Sequence, residues 1–247
     1  MIKIENLSKQ FGKLMAVDNL NLEIPQGEFF AFLGPNAAGK TTTIKLLIGL
    51  LKPTTGTAYI CGHNIQTDYI KAKALISYIP DFPFLYDKLT GVEFLDFVMK
   101  LYPQSNRKKQ LKLMDELLAA FGLADAKNNL IEYYSHGMRQ KLVFASALLH
   151  EPQVMVIDEP MVGLDPHSSR VVKDILKQKA RQGVTIFLST HTLSVAEELA
   201  DRIGIIDKGK LLALGSLDQL SRSSGVTGKL EDVFLRITQE EPINGNT

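Results

Sequence analysis

Gly34-Pro35-Asn36-Ala37-Ala38-Gly39-Lys40-Thr41-Thr42 is the stretch around which the other segments of this 247-residue chain fall into place. It satisfies G-x-x-x-x-G-K-[ST], and its flanks are those such a loop needs. Phe29-Phe30-Ala31-Phe32-Leu33 before it is a short apolar run of buried-strand type, and Thr43-Ile44-Lys45-Leu46-Leu47-Ile48 after it continues as a helix with an apolar face. A loop wound between a strand and a helix turns backbone N–H groups inward, and the helix N-terminus adds partial positive charge, so polyphosphate oxygens are held without many side chains. Lys40 brings a full charge to the β- and γ-phosphates, and the Thr41 hydroxyl is placed to ligate Mg²⁺.

Composition narrows the setting. The 28 Lys and Arg against 27 Asp and Glu leave a net charge of +1, so no basic field draws the chain to nucleic acid. Cys61 has no partner for an internal disulfide, and Met1-Ile2-Lys3-Ile4-Glu5 lacks the basic-then-apolar pattern of a signal peptide, which implies a reducing, cytosolic location. No apolar run approaches the roughly 20 residues needed to span a bilayer, so a membrane role would come through a partner chain.

Leu20, Leu22 and Ile24 alternate with Asn21 and Glu23, the mark of a half-buried strand, and with 2–7 they predict antiparallel strands joined through Phe11-Gly12. Strands are predicted over 57–61 and 75–79. From Thr90 the pattern turns helical: Thr90 and Glu93 form a capping box, and a second helix carries Leu111, Met114, Leu118 and Phe121 at spacings of three and four. Its basic run Arg107-Lys108-Lys109 reads as a solvated face. Val154-Met155-Val156-Ile157 is again a continuous apolar strand, delivering Asp158 and Glu159 at its C-terminal end, where open α/β sheets bind ligands. Asp165-Pro166 starts a further helix that Gly183 stops, 184–188 is a strand ending near His191, and 203–206 with 210–214 read as a hairpin. A short helix follows Ser216, then a loop over 221–228, a last amphipathic helix, and a polar, disordered end over 239–247. The organisation expected is an α/β P-loop core over 1–82 and 148–215 with an N-terminal antiparallel β subdomain, a helical insert over 83–147, and C-terminal helices and tail over 216–247.

A phosphate loop alone says nucleotide binding, whereas a carboxylate pair on a separate apolar strand says hydrolysis. Asp158 can hold the Mg²⁺ shell, and Glu159 can polarise a water toward the γ-phosphate. Alone, Glu159 would be a strand-end carboxylate and His191 a surface histidine. Three strand ends converging on one phosphate change that reading.

This ordered set resembles the nucleotide-binding subunit of an ATP-binding cassette (ABC) transporter over nearly the whole chain. The resemblance implies ATP as the nucleotide, with Gly34 to Thr42 as the Walker A loop, Asp158 at the end of Walker B, and Glu159 as the catalytic glutamate. It also implies Gly163-Leu164-Asp165 as the D-loop and His191 as the switch histidine. Phe11 matches the aromatic that stacks on adenine; the lesser alternative for it is an ordinary hydrophobic anchor. Tyr134-Ser135-His136-Gly137-Met138 resembles the signature usually written LSGGQ, whose serine and glycine, here Ser135 and Gly137, face the ATP held by the other subunit. The implied partners are a second copy of the chain or a paralogous cassette, head to tail, and an integral membrane subunit. The implied location is the cytoplasmic face of the membrane.

Three positions depart from the pattern: Ala37 stands for a loop glycine, Asp81 for the Q-loop glutamine with access to Mg²⁺, and His136 for a signature glycine. Lys40, Asp158, Glu159 and His191 are all present, so a working ATPase is expected. YSHGM and Leu230-Glu231-Asp232-Val233-Phe234-Leu235 resemble exporter-type cassettes for drugs, ions, lipids or polysaccharides. The alternatives are a soluble ABC ATPase acting on ribosomes or DNA, or a regulatory ATP-binding module. Phe82-Pro83-Phe84-Leu85-Tyr86 is either packing between the lobes or a socket for the membrane subunit.

Overall fold

The computed structural model describes residues 1–102, 106–161, 163–226 and 228–239. β1 (Ile2–Phe11) and β2 (Leu14–Ile24) pair antiparallel with Ile2 opposite Ile24 and Ile4 opposite Leu22. Alternation therefore sends Ile2, Ile4, Leu20, Leu22 and Ile24 inward together. β3 (Phe29–Leu33) is buried along its whole length, as a strand covered on both faces must be, and α1 (Lys40–Leu47) follows its loop. β4 (Thr55–Ile60) and the two-residue β5 (His63–Asn64) complete a four-stranded sheet in the order β2-β1-β4-β5. Next come α2 (Tyr69–Leu75) and β6 (Ile76–Ile79).

The helical segment opens with α3 (Gly91–Leu101), where Thr90 and Glu93 make the reciprocal capping box. The basic run at the start of α4 (Arg107–Ala120) is exposed, as expected, and the structure adds pairs of Arg107 with Asp96 and of Lys109 with Glu151. α5 (His136–Leu148) is capped by Ser135 and returns the chain to the core. β7 (Val154–Asp158), α6 (Pro166–Arg181), β8 (Thr185–Thr190), α7 (Leu193–Leu199), β9 (Arg202–Asp207) and β10 (Lys210–Gly215) follow. The second sheet runs β10-β9-β3-β8-β7-β6; β9, β3, β8, β7 and β6 pair in parallel, and β10 is antiparallel to β9. Phe30, Phe32 and Phe187 meet at ring distances of 5.3 to 6.4 Å, so the layer between the two sheets is filled by aromatic rings from β3 and β8. This topology puts the ends of β3, β7 and β8 side by side, and with them the phosphate loop, Asp158 and the Thr190-His191 corner.

Two differences from expectation lie near the C-terminus. α8 (Leu217–Ser224) takes in Ser221 to Ser224, which the sequence reading assigned to a loop, because Ser216 and Gln219 form a second capping box and the chain turns only at Gly225, φ 68°. Gln239, expected to be disordered, is the last residue of α9 (Leu230–Gln239); the rest of that expectation, 240–247, lies outside the described residues.

Candidate active site

The loop after β3 owes its shape to close backbone approaches. A β-carbon on Gly34 would overlap the Ile206 carbonyl, and one on Gly39, at φ 111°, would overlap the Ala16 carbonyl. The β9–β10 turn braces the loop, with Gly209 N–H donating to the Ala38 carbonyl at 2.9 Å. Ala37 adopts φ 64°, a left-handed conformation that costs a non-glycine residue about 1–2 kcal/mol. No side chain caps α1, so the first-turn N–H groups are left for an anion. Lys40 is buried and folds back, its Nζ donating to the carbonyls of Gly34 (2.6 Å) and Pro35 (3.0 Å).

Across the cleft, Thr41 Oγ1 donates to Asp158 Oδ2 at 3.4 Å. Glu159 sits at φ 47° and its carboxylate is held three ways. Oε2 accepts from Thr190 Oγ1 (2.9 Å), and Oε1 accepts from the His191 backbone N–H (2.7 Å) and lies 2.6 Å from His191 Nδ1. These three contacts hold in place a backbone conformation that is costly for a residue other than glycine.

The electrostatics describe a site built for a charged ligand. Burial lowers the Lys40 pKa against the opposing pull of Glu159 and Asp158. Burial also raises Asp158, helped by the Asp81 and Glu159 carboxylates, and the Tyr78 phenol is pushed up to about 12, first by burial and then by Asp158 and Asp81. Thr41, Asp158 and Asp81 offer only oxygen donors, the set a hard cation such as Mg²⁺ prefers. Among the described residues no group of three His, Cys, Asp or Glu is placed to hold a metal ion.

A cleft of about 790 Å³ collects Phe11, Asn36, Ala37, Ala38, Gly39, Lys40, Thr41, Thr42, Asp81, Asp158, Glu159 and His191. Gly34 and Pro35 lie behind its wall and present carbonyls to Lys40. Ser135, Gly137 and Asp165 do not line it: Ser135 caps α5 through Met138 N–H (3.3 Å), Gly137 lies in its first turn, and Asp165 caps α6 through Ser168 N–H (2.9 Å). Leu14, Met15 and Lys208 also line the cleft, and sequence reasoning missed them. Leu14 and Met15 carried a signal in their closeness to Phe11. Lys208 carried none, because the sheet order alone brings the β9–β10 turn to the loop.

A phosphate loop between β3 and α1, with carboxylates at the end of β7 on the far side of β8, defines a P-loop nucleoside triphosphatase. The profile of the ABC transporter family matches residues 17–162, and the chain belongs to that family. It resembles the daunorubicin/doxorubicin resistance ATP-binding protein DrrA of Streptomyces peucetius, with 38% identity over 91% of this chain and 68% of that one. It also resembles the bacitracin transport ATP-binding protein BcrA of Bacillus licheniformis, with 39% identity over 90% and 72%. Among solved structures, the ATP-binding subunit of an ABC transporter superposes with a TM-score of 0.92 at 30% identity, covering 97% of this chain and all of that one. A dimeric ATP-binding cassette in a post-hydrolysis state with ADP and Pi superposes at 0.78 and 26% identity over 88% and 99%. The chain is an ATP-binding, ATP-hydrolysing ABC subunit.

Proposed function

We propose that this chain powers an exporter-type transporter in which the membrane-spanning subunit is a separate chain. The relatives named for daunorubicin and bacitracin support a drug as the cargo, among the drugs, ions, lipids or polysaccharides such exporters take. Among the described residues no helix is long and apolar enough to cross a membrane; the likeness to the ATP-binding subunits DrrA and BcrA supports a peripheral position on the cytoplasmic face. In the division 1–82 plus 148–215, 83–147 and 216–247, the first part holds ATP. The second carries the surface for the membrane subunit, where Phe84 and Tyr86 are exposed at 83% and 53% while Leu85 is buried, next to Phe82 at the edge of the first part, 71% exposed.

In this reading the 34–42 backbone cradles the phosphates, Lys40 leaves its carbonyls for the β- and γ-phosphates, and Phe11 stacks on adenine. Thr41, Asp158 and Asp81 hold Mg²⁺, which when bound supplies neutralising charge at the phosphates. Glu159 orients and deprotonates the attacking water, and His191, fixed through Nδ1, contacts the γ-phosphate. Ser135, Gly137 and Asp165 lie outside their own cleft, which supports their serving the nucleotide of a second cassette, a copy or a paralogue. The observation that carries the proposal is the threefold hold on Glu159 beside buried Asp158.

Glu159→Gln keeps the size and removes the base. Turnover should fall by about 10²- to 10⁴-fold with ATP affinity retained, and ATP should trap a dimer visible in gel filtration. Near-normal hydrolysis would sink the assignment.

A further inference from the structure

His136 occupies the first position of α5, directly after the capping serine, and its ring lies against two separate loops. On one side is Phe82, whose ring centroid is 6.2 Å away at 48°; Phe82 itself lines the nucleotide cleft, next to Asp81. On the other is Gly163, a short loop beyond Glu159: a β-carbon built there would overlap both Cδ2 and Nε2 of the imidazole. Gly137 follows the same contour, since a β-carbon on it would come 3.5 Å from the Gly163 carbonyl. Gly163 stands at φ 78°. An imidazole is planar with few rotamers, so it holds such a gap at lower entropic cost than a long flexible side chain.

We propose that His136 is a positioning residue: its ring is a wedge between Phe82 and Gly163 that fixes the N-terminal turn of α5 against the two loops leaving the cleft. Where the signature usually has glycine, this chain joins three segments through one side chain. The wedge sets how the Ser135-Gly137 turn is presented relative to Glu159. It serves turnover, not the monomer's hold on nucleotide, because no atom of it lines the cleft. The inference rests on the reading of the cleft as the ATP site.

The test is a double-mutant cycle in the full-length chain, comparing wild type, His136→Gly, Gly163→Ala and the double variant. Each is read as kcat and KM for ATP, as affinity for a fluorescent ATP analogue, and as thermal midpoint. His136→Gly should lower kcat by about tenfold with KM and analogue affinity within about twofold, the signature of misplacement without lost binding. Gly163→Ala should lower both kcat and midpoint in the wild-type background, and by much less once His136 is glycine, leaving only the left-handed strain of the new alanine. His136→Phe keeps a ring in the gap and should restore most of the turnover. Equal penalties for Gly163→Ala in both backgrounds, or wild-type turnover in His136→Gly, overturn the inference. Loss of analogue binding in the wild type itself would instead unseat the ATP-site reading, and the wedge would then stand or fall on the midpoint cycle.

Discussion

Lys40 and Asp158 are opposite charges that burial disfavours in the same cleft, and each has its pKa moved toward the neutral form. Such charges are kept for a ligand at the expense of the apo fold. The folded pKa of Asp158 lies above the unfolded 3.8, so the folded state binds the proton more tightly. Below 3.8 both states are protonated and nothing is lost, whereas above the folded value both are charged and the full penalty applies. Asp158→Asn should therefore raise the thermal midpoint of the nucleotide-free chain at pH 7, by about 2–4 °C per kcal/mol recovered, while ending turnover. The gain should vanish as pH falls below the unfolded value. A midpoint that drops at pH 7 would mean that the carboxylate stabilises the empty cleft. That Lys40 and Asp158 meet in one cleft was legible from the loop motif and the apolar strand ahead of Asp158. The backward fold of Lys40 onto Gly34 and Pro35 was not, because it depends on what the lysine does without a phosphate.

α5 shows how much one element can reveal before its surroundings are known. A serine ahead of an apolar run signals a helix start, and the structure puts the cap at Ser135. The same hydroxyl is claimed by the proposed contact across a dimer, so Ser135→Ala confounds two losses, about 0.5–2 kcal/mol of capping and the contact itself. Ser135→Asp separates them. Aspartate caps about as well as serine, so the midpoint should stay close to wild type. A carboxylate facing a γ-phosphate should still lower turnover by about 10²-fold or more, with nucleotide affinity of the monomer unchanged. Comparable turnover in the aspartate variant would show that Ser135 only caps. A capping box made α3 readable from sequence and α8 was read only as a short helix after Ser216, whereas α2 and α7 were missed. Each of those has seven residues and an N-cap with no side-chain hydrogen bond, so neither periodicity nor punctuation announced it. The sheet order was equally unreadable, since β3 passes between β8 and β9 through contacts more than 150 residues apart in sequence.

At the scale of the whole molecule the seam between helical segment and sheet carries a titratable group that the cleft does not use. His150 follows α5, stacks on Tyr102 at the end of α3 (4.2 Å, 18°), and lies 3.2 Å from the carbonyl of Ile76 on β6 through Nε2. Since a carbonyl only accepts, Nε2 carries the proton, and Nδ1 is left buried without a partner. Charging the ring would place a second N–H where nothing accepts it. Burial accordingly lowers the His150 pKa, and the Ile76 hydrogen bond opposes it only in part. The unfolded chain, near 6.5, therefore takes up a proton before the folded one does. Above that pH the group contributes no pH dependence, and stability is lost progressively as pH falls through 6.5 toward the folded value, with a slope of up to about 1.4 kcal/mol per pH unit. His150→Phe keeps a ring for the Tyr102 stack and removes the titration. Because the chain has no tryptophan, urea unfolding followed by far-ultraviolet circular dichroism is the suitable readout. The wild-type midpoint should fall more steeply between pH 7 and pH 5.5 than that of His150→Phe, whatever their offset at pH 7. Parallel pH profiles for the two proteins would show that the seam does not feel the charge on this histidine.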